Sequence, residues 1–205
     1  MQIVDTLPMA SRSRSRATVE TTSDESLIRS IAKGNKRALE LLFTRHNVRI
    51  YRFILRLTGN TALAEDIVND VFIEAWRNAG KFEARSRVST WLLAIGRYKA
   101  LTALRERREA QWDDDSAANI VDDANDPEIV AHQASLGAVI QKCLMQLPAY
   151  QREIIDLVYY HGKTVLEVAQ IAGIPEGTVK SRMFHARSRM VHLLQEAGIH
   201  GAHAN

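Results

Sequence analysis

The chain has 205 residues, 27 Lys+Arg against 24 Asp+Glu for a formal net charge of +3, and is 46% apolar but only 6% aromatic. That length and apolar content allow one medium domain or two small ones with real cores, and prolines nearly confined to breaks suggest a mostly helical protein. The single cysteine, Cys143, excludes a disulfide within the chain and favours a reducing compartment; no run approaches the roughly 20 apolar residues of a spanning helix, and the first residues lack the apolar core of a signal peptide.

The charge is segregated along the chain. Residues 23–108 hold 17 Lys+Arg against 9 Asp+Glu, a net of +8, and residues 109–130 hold 8 acids with no Lys or Arg, a net of −8. Further on, Lys180, Arg182, Arg187 and Arg189 outnumber Glu167 and Glu176 between 164 and 194. Two basic modules thus flank one acidic strip, where a merely solvated surface would mix its signs. Clustered cations suit a polyanion, because counterions displaced from phosphate drive binding.

Residues 1–22 read as a disordered tail, and residues 23–108 as a first helical domain. Leu27, Ile28 and Ile31 mark a short helix. A second helix carries Leu41, Leu42, Phe43, Val48, Ile50, Tyr51, Phe53, Ile54 and Leu57 and stops at Thr58-Gly59-Asn60. A third runs from Thr61 to Gly80, with Leu63, Ile67, Val71 and Ala75 inward. Asp66, Asp70, Ile73 and Arg77 then form an outward stripe beside Asn69 and Trp76. Acids mixed with exposed Ile and Trp suit docking onto another protein; the competing reading makes Ile73 and Trp76 core and the acids merely solvated.

A loop, Lys81 to Ser86, leads to a fourth helix from about Arg87 to Ala110. Between Lys81 and Arg108, 8 cations stand against Glu83 and Glu106, with Phe82, Trp91 and Tyr98 interleaved. Cations give a track for a nucleic-acid backbone, and aromatic faces stack on unpaired bases. Phe82 and Trp91 also suit a core, which for Trp91 is the stronger reading.

Residues 109–130 form an acidic, flexible linker that cannot bury enough apolar surface to offset its ordering entropy. Residues 131–195 form a second helical domain. Pro148 opens its middle helix as first residue, and His161-Gly162 close it. Thr164 and Glu167 have capping-box spacing, Val165, Val168, Ala169 and Ala172 give an inner face, and Gly173-Ile174-Pro175 stops the helix. In the next helix Val179, Met183, Ala186, Met190 and Leu193 face inward. Ser181, Phe184, His185 and Ser188 lie opposite, with Lys180 and Arg187 on one flank and Arg182 and Arg189 on the other. A helix, a three-residue break and a basic helix have the shape of a helix-turn-helix, whose second helix enters the DNA major groove. Residues 196–205 are a flexible Gly/Ala/His tail. With no Gly-rich phosphate loop, nucleophile motif or metal-ligand cluster at usable spacing, no catalytic residue, metal, cofactor or small-molecule substrate is read. The fold class expected is all-α: two small helical domains joined by the acidic linker, the second containing the helix-turn-helix.

Three stretches in order resemble the extracytoplasmic-function (ECF) sigma factors of bacterial RNA polymerase. Ala64 to Asn78 is similar to their core-polymerase-binding segment, Phe82 to Arg105 to their promoter-melting segment, and Leu147 to Arg187 to their region four. The resemblance covers about residues 23–196. It implies that Asp66, Asn69, Asp70, Phe72 and Ile73 contact, or support contact with, the clamp helices of the largest catalytic subunit. The loop Lys81 to Ser89, with Phe82, Arg85, Ser86 and Arg87, would capture a flipped non-template base at the start-proximal element. Trp91 belongs to the same melting segment, and Arg97, Lys99, Arg105 and Arg108 would follow the backbone. Thr178, Lys180, Ser181, Arg182, His185 and Arg187 would read or clamp the upstream element.

The partners so implied are core RNA polymerase, promoter DNA both double-stranded and melted, and an anti-sigma factor, in the bacterial cytoplasm and without membrane insertion. The chain departs from the family pattern in four places. Asn69-Asp70 stand where Gln-Glu is usual, Tyr98 and Thr102 where Asn and Asp are frequent, and His185 where Arg is common. Two other readings stay open: a regulator with one helix-turn-helix and an unrelated sensor domain, and a decoy that titrates an anti-sigma factor.

Overall fold

A computed structural model describes residues 22–112 and 134–199, and every regular element among them is helical. The expected N-terminal tail, acidic linker and C-terminal tail fall for the most part outside the described residues. The first module comprises α1 (Asp24–Ile31), α2 (Lys36–Thr58), α3 (Thr61–Asn78), a 3-10 turn (Ala79–Lys81) and α4 (Val88–Trp112). Each of the first three helices starts at a polar side chain that accepts an otherwise orphaned amide: Ser23 from Ser26, Asn35 from Ala38 and Asn60 from Leu63. Gly59 ends α2 with φ +63 and donates its N–H to the Leu55 carbonyl, a left-handed position that glycine adopts without a Cβ penalty.

The apolar periodicities converge on one core. Leu27, Ile28 and Ile31 of α1 meet Leu42, Ile50, Phe53 and Ile54 of α2. Ala64, Ile67, Val71, Phe72 and Ala75 of α3 and Val88, Leu92, Leu93 and Ala100 of α4 complete it. Phe43 and Phe72 stack at 4.8 Å between ring centres. At Gly96 the backbone of α4 comes so close to α2 that a Cβ there would stand 3.3 Å from Ile54 Cδ1.

The second module comprises α5 (Ala134–Met145), α6 (Ala149–Ile155), a π turn (Asp156–Tyr160), α7 (Val165–Ala172) and α8 (Glu176–Glu196). Pro148 is the cap of α6 rather than its first residue: its ψ of 143° is extended. Pro175 caps α8 in the same way. The capping box at α7 forms fully, Thr164 accepting from the Glu167 amide and Glu167 from the Thr164 amide. Gly173 turns left-handed at φ +66. Val179, Met183, Ala186 and Leu193 of α8 are buried and Met190 is half-buried, the face the spacing predicts.

The two modules pack against each other, α4 along α7. The buried apolar residues of both modules belong to one continuous cluster, and polar contacts run beside it.

Candidate nucleic-acid interface

The outward stripe of α3 forms as its spacing predicts. Asp66, Asn69, Asp70, Ile73 and Arg77 are exposed, and Ile73 keeps 47% of its surface in solvent. Trp76 is half-buried and packs on the core, so only one of the two large apolar side chains is offered outward. Phe72 is buried against Phe43. It supports the exposed stripe from behind, its ring turned into the bundle. Asp66, Asn69 and Asp70 also line a groove of about 520 Å³ whose far wall is Tyr98, Thr102 and Glu106 of α4.

The melting segment divides in two. Lys81, Arg85 and Arg87 are exposed on the loop, Ser86 is half-buried, and Glu83 pairs with Arg85 at 2.5 Å. Ala84 holds φ +53, a left-handed conformation uncommon for a residue with a Cβ. Phe82 and Trp91 lie 5.1 Å apart, half-buried on the core, so neither offers a free ring to a base in this arrangement. Along α4, Arg105 is exposed, while Lys99 lies 3.7 Å from Asp70 and 4.0 Å from Glu74 of α3. Lys99 thus sits against the acidic stripe of α3 in this arrangement. Arg97 and Ser89 are taken by the second module.

On α8 the outer face appears as expected, with Lys180, Ser181, Phe184, His185, Arg187, Ser188 and Arg189 exposed and Thr178 half-buried. Two of its cations lean on tyrosines of the preceding segment. Arg182 sits over the Tyr150 ring at 5.1 Å, and Arg187 donates to the Tyr159 hydroxyl at 3.0 Å. The Ser181 hydroxyl donates back to the Thr178 carbonyl. Beside this face, Ile140, Leu144, Ile155, Met190, Val191 and Leu194 line an apolar groove of about 430 Å³.

Two strongly exposed aromatics stand on these helices, Tyr98 among the interleaved cations and Phe184 on the outer face of the basic helix. Tyr98 is 73% exposed on α4, and Phe184 is 67% exposed on α8, edge-on to His185. Both rings stand on faces whose polar neighbours the spacing had already turned outward, which was the available signal.

Sequence reasoning also missed the seam between the modules. Lys163 Nζ donates to Ser89 Oγ at 2.7 Å and to Thr90 Oγ1 at 3.0 Å, and Thr90 Oγ1 in turn donates to Glu167 Oε1 at 2.7 Å. Arg97 donates from Nε to Glu153 Oε1 at 2.5 Å and from Nη2 to Oε2 at 3.4 Å. Arg56 of α2 donates to Asp156 and lies 4.4 Å over the Tyr160 ring, and His161 meets Phe53 edge-on at 5.4 Å. Thr90 is 1% exposed and Lys163 7%. Burial pulls the Lys163 ammonium below its ordinary value, against the opposing pull of Glu167. Burial pushes the Glu167 carboxyl up, but the Thr164 amide, the Thr90 hydroxyl and Lys163 outweigh it and hold it below the ordinary carboxylate value.

An all-helical first module with an outward acidic stripe and a basic fourth helix, joined to a helix-turn-helix, defines a protein that couples DNA reading to docking on a larger machine. The Sigma-70 region 2 family model matches residues 42–110, and the Sigma-70 region 4 model matches residues 138–190. The chain is 33% identical over 176 residues to the ECF RNA polymerase sigma factor SigM of Mycobacterium tuberculosis, covering 84% of this chain and 85% of that one. Among solved structures, CnrH in complex with the cytosolic domain of CnrY aligns with a TM-score of 0.62 at 25% identity, over 85% of this chain and 99% of that one. The sigma factor RpoE of Bartonella quintana, in complex with the anti-sigma factor NepR, aligns with a TM-score of 0.61 at 28% identity, over 76% of this chain and 96% of that one. The chain therefore belongs to the ECF RNA polymerase sigma factors, and it directs transcription initiation at promoters.

Proposed function

We propose a division of labour among the surfaces described. The α3 stripe of Asp66, Asn69, Asp70 and Ile73, braced by Phe72, docks onto core polymerase. The loop Lys81 to Ser89 and the α4 face of Arg97, Lys99 and Arg105 engage the start-proximal element as it melts. Thr178, Lys180, Ser181, Arg182, His185 and Arg187 meet the upstream element. Catalysis belongs to polymerase; this chain contributes binding and specificity, in the cytoplasm where polymerase works. The single observation that carries the docking assignment is Ile73, an apolar side chain left nearly half in solvent and flanked by exposed carboxylates on a helix whose opposite face is fully buried. Interfaces concentrate their binding energy in such anchors within a polar rim.

The two most exposed aromatics, Tyr98 and Phe184, extend this reading. Tyr98 offers a ring face for an unpaired base, with stacking of about 1–3 kcal/mol per base. Phe184 suits apolar contact with a thymine methyl in the major groove. An anti-sigma partner is supported by the related sigma factor RpoE of Bartonella quintana, whose structure is a complex with the anti-sigma factor NepR.

Holoenzyme reconstitution tests the assignment. Ile73→Ala and Asp70→Ala are expected to weaken capture by core polymerase, Arg85→Ala to slow open-complex formation with capture intact, and Lys180→Ala to weaken duplex upstream binding by the holoenzyme. Transcription from a genomic fragment library with and without the protein supplies the promoters for these assays. Unchanged capture with both α3 variants would remove α3 as the docking face.

A further inference from the structure

The outer face of α8 carries two kinds of cation. Lys180 and Arg189 make no hydrogen bond, ion pair or ring contact among the described residues. Arg182 and Arg187, one on each flank, both rest on tyrosines. Those tyrosines stand at the two ends of the segment that packs along α8, Tyr150 in the first turn of α6 and Tyr159 in the π turn that follows it. The Tyr150 hydroxyl accepts from Nε2 of the buried Gln151 at 3.4 Å, which steadies its ring. The chemistry of both partners favours a third group. An arginine presents five N–H donors in one plane. Tyr159 Oη accepts from Arg187 Nε alone, at 3.0 Å, and leaves the terminal N–H groups free. Tyr150 meets Arg182 through the π face of its ring, 5.1 Å from the guanidinium carbon, and not through a hydrogen-bond acceptor. A carboxylate in either place would cancel the charge. The tyrosines are neutral, so each guanidinium keeps its charge and its fork for a phosphate.

We propose that Tyr150 and Tyr159 are positioning residues for the upstream element. They hold Arg182 and Arg187 on opposite flanks of α8, in register with the two phosphate backbones that edge the major groove. A long side chain loses rotamer freedom when it binds, and one already held in place loses less. Lys180 and Arg189 add charge on the same flanks without that prior ordering. The inference rests on the assignment of α8 to the upstream element, and the two can be tested apart.

The test measures the affinity of reconstituted holoenzyme for a duplex carrying one promoter recovered by the library transcription, over a series of salt concentrations. Tyr159→Phe removes only the hydroxyl; Tyr150→Leu removes the ring, and Tyr150→Phe keeps it. Tyr159→Phe and Tyr150→Leu are each expected to weaken binding about two- to tenfold. Their salt slopes should match wild type, because both arginines keep their charge. Tyr150→Phe should bind close to wild type. Arg182→Ala and Arg187→Ala should weaken binding and also lower the salt slope by about one each. In double-mutant cycles, Tyr159→Phe should add nothing to Arg187→Ala, nor Tyr150→Leu to Arg182→Ala. Each pair is read separately. A tyrosine change that weakens binding as much in the alanine background as alone marks a direct DNA contact and overturns the positioning role. Full or tighter binding by Tyr159→Phe or Tyr150→Leu, while the arginine variants bind weakly, overturns the inference for that pair and leaves the α8 assignment standing. Arginine variants with wild-type affinity and slope remove the assignment and the inference together. Should Tyr150→Leu fail to fold by circular dichroism, Tyr159→Phe alone decides.

Discussion

The core of the first module and the polar contacts across the seam between the modules are both buried, yet their chemistry is opposite. In the core, Leu42, Ile54, Val71 and Leu92 have no solvent exposure and no polar atom to satisfy. Separating those helices would expose apolar surface at roughly 25 cal/mol per Å², with nothing in water to compensate. In the seam, Arg97, Glu153, Lys163, Thr90 and Glu167 all have partners that water or another charged molecule can replace. Taking such charges out of water costs much of what their pairing returns. Contacts of this kind are specific in register but modest in net strength.

The largest expected effect comes from attacking the core. Leu42→Ala should cost about 2–5 kcal/mol of stability, seen as an earlier urea midpoint for unfolding of the first module. Next is the seam. Lys163→Met leaves Glu167 charged and short of one partner, and should cost about 3 kcal/mol of whatever holds the modules together. Adding Glu167→Gln should recover much of that loss, because the stranded charge disappears while the cap survives. Additive losses in a double-mutant cycle would instead mean that Lys163 and Glu167 act independently.

A smaller effect is expected from pH. Glu167 is held below its ordinary value in the folded chain, so its stabilisation is present above the unfolded carboxylate value and is lost as pH falls through the folded one. The seam should loosen on acidification, and Glu167→Gln should flatten that limb of the scattering-versus-pH curve. Lys163 is also lowered. The folded chain therefore binds its proton less tightly than the unfolded chain does, and stability should rise with pH through the alkaline window below the ordinary lysine value. Opposite slopes in thermal melts against pH would contradict both assignments. The smallest effect is at Gly96→Ala. The gain in helix propensity, about 1 kcal/mol, is set against an Ile54 contact that must yield by a few tenths of an ångström. The net change in melting midpoint should be near zero, which would mark the core as tight but compliant there.

Most of the fold was legible because local signals agreed with one another. Asn35, Asn60 and Thr164 cap where a short polar side chain precedes an apolar period, and Gly59 and Gly173 end helices where only a left-handed residue can. The inward faces of α3 and α8 follow from 3.6-residue spacing alone. The candidate surfaces on those helices were legible for the same reason, being what remains once the inner face is removed. The seam was not. Arg56 and Asp156 are 100 positions apart and Thr90 and Glu167 are 77 apart, and nothing in the spacing of either segment shows that they meet. Neither Lys163 nor Glu153 carries a local signal of burial, though both are buried. Burial of a charge depends on which surface comes to cover it, and that is a property of assembly between modules rather than of either module's own pattern. Phe72 illustrates the finer limit: a family role transferred by position does not distinguish a side chain that touches a partner from one that braces it.

The π turn at Asp156–Tyr160 has a consequence for how the seam is phased with the DNA-reading helix. An α-helix advances about 100° per residue, and a π turn holds one residue more than that winding allows. Asp156 and Tyr160, four residues apart, both meet Arg56 on one side, while Tyr159 points across to Arg187 of α8. Removing a single residue, such as Val158, would restore ordinary winding and swing the two tyrosines out of phase with both arginines. This turn thus sets the angular position of the Arg56 and Arg187 contacts relative to α6, which carries Glu153. A relative with the same apolar pattern but an uninterrupted helix at this point would lack that alignment.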